Sequence, residues 1–262
     1  GLGPNGLSAP QGIAITPDYL AIAEWGNARV GVRFTNAQPP IFLGQPDSAS
    51  NTPNNGGVSA QSMGPSTGVA TFGNKLLVAD PGNNRILVYD TATWATHAAA
   101  IQVLGQPNFT SNALSAAVDG LDTPYGIFTD SRRVYISDAG NNRIVMYEGL
   151  PTPLRPEPLL VWGSFGQTAT TLNNQVSGFA DGNRLFVADR GNDRIMVFDA
   201  IPATSRDPAS VVIGQPNFAT GDHNQCSCEI AKPNSLWGAN FVTWDGCRLY
   251  VSDTQNNRVL VY

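Results

Sequence analysis

The chain has 262 residues, 42% of them hydrophobic and 13% charged, and a net charge of −5. That balance excludes a long disordered chain, which needs low hydrophobicity and high net charge. It also excludes membrane insertion by a helix, since no apolar run approaches the roughly 18 residues a span requires. Glycine (27) and proline (19) are abundant, so the chain reads as rich in turns and poor in helix.

Taken in order, the elements repeat. One phrase occurs five times: Glu24-Trp-Gly-Asn-Ala-Arg29, Asp80-Pro-Gly-Asn-Asn-Arg85, Asp138-Ala-Gly-Asn-Asn-Arg143, Asp189-Arg-Gly-Asn-Asp-Arg194 and Asp253-Thr-Gln-Asn-Asn-Arg258. Four copies follow clear β-type runs such as Leu76-Leu-Val-Ala, and alternating runs such as Ile86-Leu-Val-Tyr follow them. The phrase is therefore a hairpin turn, with the Gly-Asn pair expected to supply positive φ at the reversal. Upstream of each hairpin lies a further strand, typified by Pro124-Tyr-Gly-Ile127. Downstream lies an apolar run closed by Gly-Gln-Pro at Gly44, Gly105 and Gly214, with Gly166-Gln167 as a version lacking the proline. Each unit is a four-stranded antiparallel meander, and five such units predict an all-β fold, a five-bladed β-propeller occupying residues 1–262 as one domain.

The hairpin phrase resembles that of the NHL repeat family, and the likeness extends over essentially the whole chain. The first copy is degraded, with Glu24 for Asp and Ala28 for the second Asn. The long repeat with its Gly-Gln-Pro phrase is similar to a bacterial, extracytoplasmic branch of that family. At a mean spacing of about 57 residues, five full units exceed the chain by about one strand and its loop. Gly1-Leu-Gly-Pro-Asn5 is read as a worn Leu-Gly-Gln-Pro-Asn phrase, so the N-terminal residues are expected to complete the last blade and close the ring. A six-bladed ring, or a fragment of a larger one, is the alternative.

The repeated residues account for the composition. The chain holds 13 Arg against 2 Lys and 16 Asp against 4 Glu. A catalytic group is needed once, whereas Asp80, Arg85, Asp138, Arg143, Asp189, Arg194, Asp253 and Arg258 recur, which assigns them to the scaffold. The carboxylates are expected to accept turn N–H groups while the guanidinium groups bond across the hairpin or to the next blade. An acidic chain with two lysines also excludes broad phosphate-backbone contact, and with it nucleic acid as a partner.

Signals for chemistry are few. His97 and His223 are the only histidines, and there is neither a nucleophile elbow nor a phosphate loop with its lysine. Propellers similar to this one include amidating lyases, which use several histidines and a metal, and lactonase-like enzymes that hold calcium. Cys226, Cys228 and Cys247 break the repeat. They are expected to form a disulfide from Cys226 or Cys228 to Cys247; a zinc site from His223, Cys226, Cys228 and Cys247 is the alternative.

The residue read as preceding the first-strand glycine of each unit is Gln11, Thr67, Tyr125, Ser177 and Trp237. It varies where the scaffold repeats, as a ligand-binding position does. Pro151 to Pro158 reads as an extended connector. The absence of an initiator Met and of a signal peptide, with a surface poor in Lys and Glu, predicts a processed, extracytoplasmic protein, whether periplasmic, secreted or at the cell surface. Together these features predict a non-enzymatic recognition or assembly module, without a cofactor, for a protein, peptide or glycan. The alternatives are a metal-dependent hydrolase or lyase with calcium or zinc in the channel, and an oligomeric structural subunit of a surface filament or lattice.

Overall fold

The computed structural model describes residues 1–152 and 157–262, so part of the connector from Pro151 to Pro158 lies outside the described residues. There are five antiparallel sheets, the blades of a five-bladed β-propeller. The first comprises β1 (Pro10–Ile15), β2 (Tyr19–Glu24), β3 (Arg29–Phe34) and β4 (Ile41–Leu43). The second comprises β5 (Val69–Phe72), β6 (Lys75–Asp80), β7 (Arg85–Asp90) and β8 (Gln102–Leu104). The third comprises β9 (Pro124–Thr129), β10 (Arg133–Asp138), β11 (Arg143–Glu148) and β12 (Leu160–Trp162). The fourth comprises β13 (Ser177–Ala180), β14 (Leu185–Asp189), β15 (Arg194–Phe198) and β16 (Val211–Ile213). The fifth has three strands, β17 (Ala239–Trp244), β18 (Leu249–Asp253) and β19 (Arg258–Val261).

Two compact units divide the chain, Gly1–Ile127 and Phe128–Tyr262, with the division inside β9. The core of the first gathers Val30, Leu43, Met63, Leu76, Leu87 and Tyr89. That of the second gathers Tyr135, Trp162, Leu172, Val187 and Phe198, with Trp162 packed edge-on against Phe198. The central strands are buried at successive positions, as in β14 and β15, because both faces of the sheet are covered.

Each β2–β3-type hairpin is built around an ion pair whose carboxylate is buried. The Arg Nε donates to the carboxylate five residues earlier at 3.1 Å in Glu24–Arg29, 2.8 Å in Asp80–Arg85, 2.6 Å in Asp138–Arg143, 2.7 Å in Asp189–Arg194 and 2.6 Å in Asp253–Arg258. The turn Asn joins the same carboxylate, as Asn83 Nδ2 does on Asp80 at 2.8 Å. The remaining carboxylate oxygen takes an amide from the segment leading into the blade: Gly64 N–H on Asp80, Asn173 N–H on Asp189 and Trp237 N–H on Asp253.

The guanidinium clamps still other segments. Arg85 donates to Phe109 O and Ser62 O, and Arg194 to Phe218 O, Thr168 O and Thr171 O. One side chain thereby fixes the lead-in, the turn and the loop beyond the outer strand.

Positive φ at the reversal falls on the residue before the arginine, not on the Gly-Asn pair. Ala28, Asn84, Asn142, Asp193 and Asn257 have φ between 45° and 54°. Gly191 is needed for room instead, because a Cβ there would lie 2.7 Å from the Asn173 carbonyl oxygen.

The N-terminal residues do not enter the fifth sheet. Arg29 Nη2 donates to Gly3 O and Gly6 O, as Arg194 Nη2 does to Thr168 O and Thr171 O. Gly3–Gly6 is thus the lead-in of the first blade, and its likeness to a Gly-Gln-Pro phrase misassigns it.

The closing phrase has its own geometry. Gln45 Nε2 donates to Ala28 O and Thr52 O, Gln106 Nε2 to Asn84 O and Ala113 O, and Gln215 Nε2 to Asp193 O and Asp222 O. The preceding Gly44, Gly105 and Gly214 have φ of 87°, 84° and 94°. In the third blade the residue directly after the outer strand is Gly163, at φ 102°, so Gly163-Ser164 holds this place and Gly166-Gln167 does not.

Removing one partner of a fully buried pair should be costly. Arg85→Met is expected to destabilise by about 3–5 kcal/mol in urea unfolding. Arg258→Met should cost clearly less, because the Arg258 side chain is 27% exposed whereas that of Arg85 is 0% exposed. Equal losses would contradict this reading.

Candidate binding site

Hydrogen bonding fixes the register of the lead-in segments and separates the five sequence-chosen residues. Gly64, Asn173 and Trp237 share one position, since each donates its amide to the blade's aspartate. Trp237 therefore lies three residues before the position of Gln11, Thr67 and Tyr125. The matching residues in the last two blades are Val176, whose N–H bonds Ala188 O as that of Thr67 bonds Ala79 O, and Asn240. Ser177 takes the place of Gly68, where a Cβ would lie 2.8 Å from the Tyr125 carbonyl oxygen.

Gln11, Thr67 and Tyr125 are brought together within the first unit. Thr67 Oγ1 donates to Tyr125 O at 2.6 Å, and Tyr125 Oη to Gln11 Oε1 at 3.2 Å. The Thr67 hydroxyl is buried and serves the contact between neighbouring first strands. Of the three, Gln11 is exposed and Tyr125 half-buried.

The fifth-blade lead-in departs most from the repeat. His223 stacks on Trp237 with ring centroids 4.6 Å apart and planes 24° from parallel. The Trp237 amide is held by Asp253 at 2.7 Å, and the next amide, Gly238, by Asp193 at 2.6 Å. Asn224 and Asn256 exchange side-chain amide bonds, and Asn224 Nδ2 also donates to Cys228 O. An equivalent Asn54–Asn83 pair braces the second blade, a match that the spacing of asparagines in the sequence does not advertise.

Cys226 and Cys228 are joined to each other, and Cys247 is free and exposed. This corrects the expected bridge to Cys247, which lies in the β17–β18 turn. It also removes two thiolates from the zinc set of His223, Cys226, Cys228 and Cys247. Among the described residues no group of three or more metal-ligating side chains is assembled. The disulfide closes a short ring, so it restrains the loop locally more than it stabilises the fold. Beyond it the chain from Glu229 to Asn234 is exposed, with Ile230 at 72%.

Asp193 is the charged member of a series of latches. Asn84 Oδ1 accepts Thr123 N–H at 2.8 Å and Asn142 Oδ1 accepts Asn174 N–H at 2.7 Å, the same bond that Asp193 makes to Gly238. Burial pushes the Asp193 carboxyl above its ordinary range, against the opposing pull of the Gly238 amide and of His223.

A carboxyl whose folded pKa is raised weakens the fold as pH climbs from its unfolded value through its folded one. Asp193→Asn, which keeps the acceptor, is expected to raise the melting temperature by a few degrees at neutral pH and to lose that gain below about pH 4. A pH-independent difference would refute the assignment. Alkylation of the native protein should label Cys247 alone, and alkylation after reduction should label all three cysteines, as read by intact mass.

No family model matches the chain, and no curated protein matches it. Solved structures do. It is similar to a streptogramin B lyase, with a TM-score of 0.58 and 10% identity over 100% of this chain and 70% of the other. It is similar to the glutaminyl cyclase of Myxococcus xanthus, with a TM-score of 0.51 and 10% identity over 97% and 90%. It is also similar to a chain of a nidogen/laminin complex, with a TM-score of 0.50 and 16% identity over 76% of this chain, which spans 62% of the other. At these identities the likeness establishes the propeller fold alone.

Proposed function

We propose that the protein is a non-enzymatic recognition module of the NHL repeat type, and that the fifth-blade lead-in presents its binding site to a protein, peptide or glycan. The His223–Trp237 stack carries this reading. Two aromatic rings rest on a backbone anchored by Asp253 and Asp193, beside a disulfide-restrained loop with an exposed Ile230. Rigid aromatic area is what recognition hot spots are made of. The repeated Asp, Asn and Arg side chains are consumed in holding the blades, which leaves the non-repeated loop to carry specificity.

The fold by itself serves several ends, since its structural neighbours include a member of a nidogen/laminin complex, a lyase and a cyclase. The disulfide fits an oxidising compartment and supports an extracytoplasmic location.

Screening the protein on peptide and glycan arrays should yield a ligand. Trp237→Ala and Ile230→Ser should each weaken it about tenfold or more, the loss expected at a hot spot. Both variants should melt as the parent does, because Trp237 contributes only its main chain to the ion-pair network. Undiminished binding by both would exclude this loop as the site.

A further inference from the structure

The Cys226–Cys228 disulfide closes a turn that the second blade makes without one. Hydrogen bonding places the two lead-in segments in register. Gln45 Nε2 donates to Thr52 O as Gln215 Nε2 does to Asp222 O. The amides of Asn54 and Asn224 donate to Met63 O and Leu236 O, each at 2.9 Å. Their side chains pair with Asn83 and Asn256, and both residues are left-handed, at φ 50° and 54°. Two residues further on, the second blade has Gly56-Gly57, at φ 83° and 102°, where the fifth has Cys226-Ser227. Glycines therefore suffice for this turn, and a bridge is not needed to form it.

In the fifth blade, residues with side chains are held where glycine belongs. Gln225 and Ser227 have φ of 61° and 49°, a conformation that strains an L residue. The bridge spans one residue, so it removes little freedom from the unfolded chain. Cys226 is exposed and Cys228 half-buried, which leaves the bridge open to an approaching thiol. Its surroundings are fixed by hydrogen bonds: Cys226 N–H donates to His223 O at 3.2 Å, Ser227 Oγ to Asp222 Oδ1 at 2.9 Å and Asn224 Nδ2 to Cys228 O at 2.9 Å. A bridge that is dispensable for the turn, accessible and flanked by strained residues belongs with the labile disulfides, not the structural ones.

We propose that Cys226–Cys228 is a thiol–disulfide exchange site that oxidises a dithiol. One thiolate of the dithiol attacks Cys226 Sγ. The S–S bond breaks, and its electron pair leaves on Cys228 Sγ, which takes up a proton. The second thiolate of the dithiol then attacks the first sulfur of the dithiol in the mixed disulfide, and Cys226 Sγ leaves with the electron pair and is protonated. Two electrons and two protons pass to the protein: the dithiol becomes a disulfide, and Cys226 and Cys228 become thiols. Opening the ring releases Gln225 and Ser227 from the left-handed region, and this relief of strain favours exchange in the forward direction. The exchange does not depend on ligand binding at the His223–Trp237 stack.

The probe is dithiothreitol. The full chain is equilibrated in mixtures of its reduced and oxidised forms, trapped with N-ethylmaleimide and read by intact mass and peptide mapping, with Cys247 as the thiol labelled throughout. Cys226 and Cys228 are expected to become thiols while the far-UV spectrum and the urea midpoint stay parental. Ser227→Gly, which accepts positive φ without strain, should lower the thiol-to-disulfide ratio in a given mixture about fivefold. The double variant Cys226→Ser, Cys228→Ser should unfold at the parental urea midpoint. The proposal is overturned if the bridge resists dithiothreitol until urea unfolds the protein, if reduction or the double variant lowers the urea midpoint as loss of a structural staple would, or if Ser227→Gly leaves the ratio unchanged.

Discussion

The buried carboxylate–arginine pair is the interaction on which the blades depend. An arginine presents several N–H donors in one plane, and here those donors are divided among segments far apart in sequence. Arg29 touches Glu24, Gly3, Gly6 and Ser48; Arg194 touches Asp189, Thr168, Thr171 and Phe218. The partner carboxylate holds the turn asparagine and, as at Asp80, Asp189 and Asp253, the lead-in amide. A lysine, with a single ammonium, could not replace this fork. The composition bias toward Arg and Asp thus has a geometric cause.

Such pairs are poor sources of net stability, since removing two charges from water costs roughly what their attraction returns. The carboxyls of Asp80 and Asp189 show the cost directly: burial raises both above the ordinary range despite the arginine beside each. What the pair supplies is placement. Irregular segments with no strand partner of their own are brought to fixed positions by hydrogen bonds whose loss would strand a buried charge.

The first blade shows how the motif tolerates change. Glu24 is one methylene longer than Asp, and on β3 Gly31 and Arg33 stand where Leu87 and Tyr89 stand on β7. A Cβ on Gly31 would lie 2.7 Å from Glu24 Oε1 and 3.0 Å from Arg33 Nη1, so the glycine makes room for two charged groups. Burial lowers the Arg33 pKa while the neighbouring Glu24 opposes that shift. Both Arg29 and Arg33 lie over the Phe42 ring. The copy that looks degraded in sequence is a compensated one.

The blades were legible because the hairpin phrase is local: its ion pair, turn and flanking strands lie within about 15 residues. The lead-in segments were not, because their register is set by bonds to partners 16 to 45 residues away. Reading Trp237 and Ser177 as equivalents of Tyr125 relied on the nearest glycine, and Gly238 has another role, accepting φ 68° while its amide binds Asp193. Cys226 and Cys228 were similarly misread, since spacing alone does not show that a residue at φ 49°, Ser227, turns the two sulfurs toward each other. Apart from that of Ser177, in the fourth blade, these misreadings fall in the lead-in of the fifth. That lead-in is latched by an aspartate of the fourth blade, Asp193, in place of an asparagine, His223 stacks on Trp237, and a disulfide restrains the approach. The local rules that specify the scaffold lose force in this loop, and a sequence relaxes its repeat where something other than the fold constrains it.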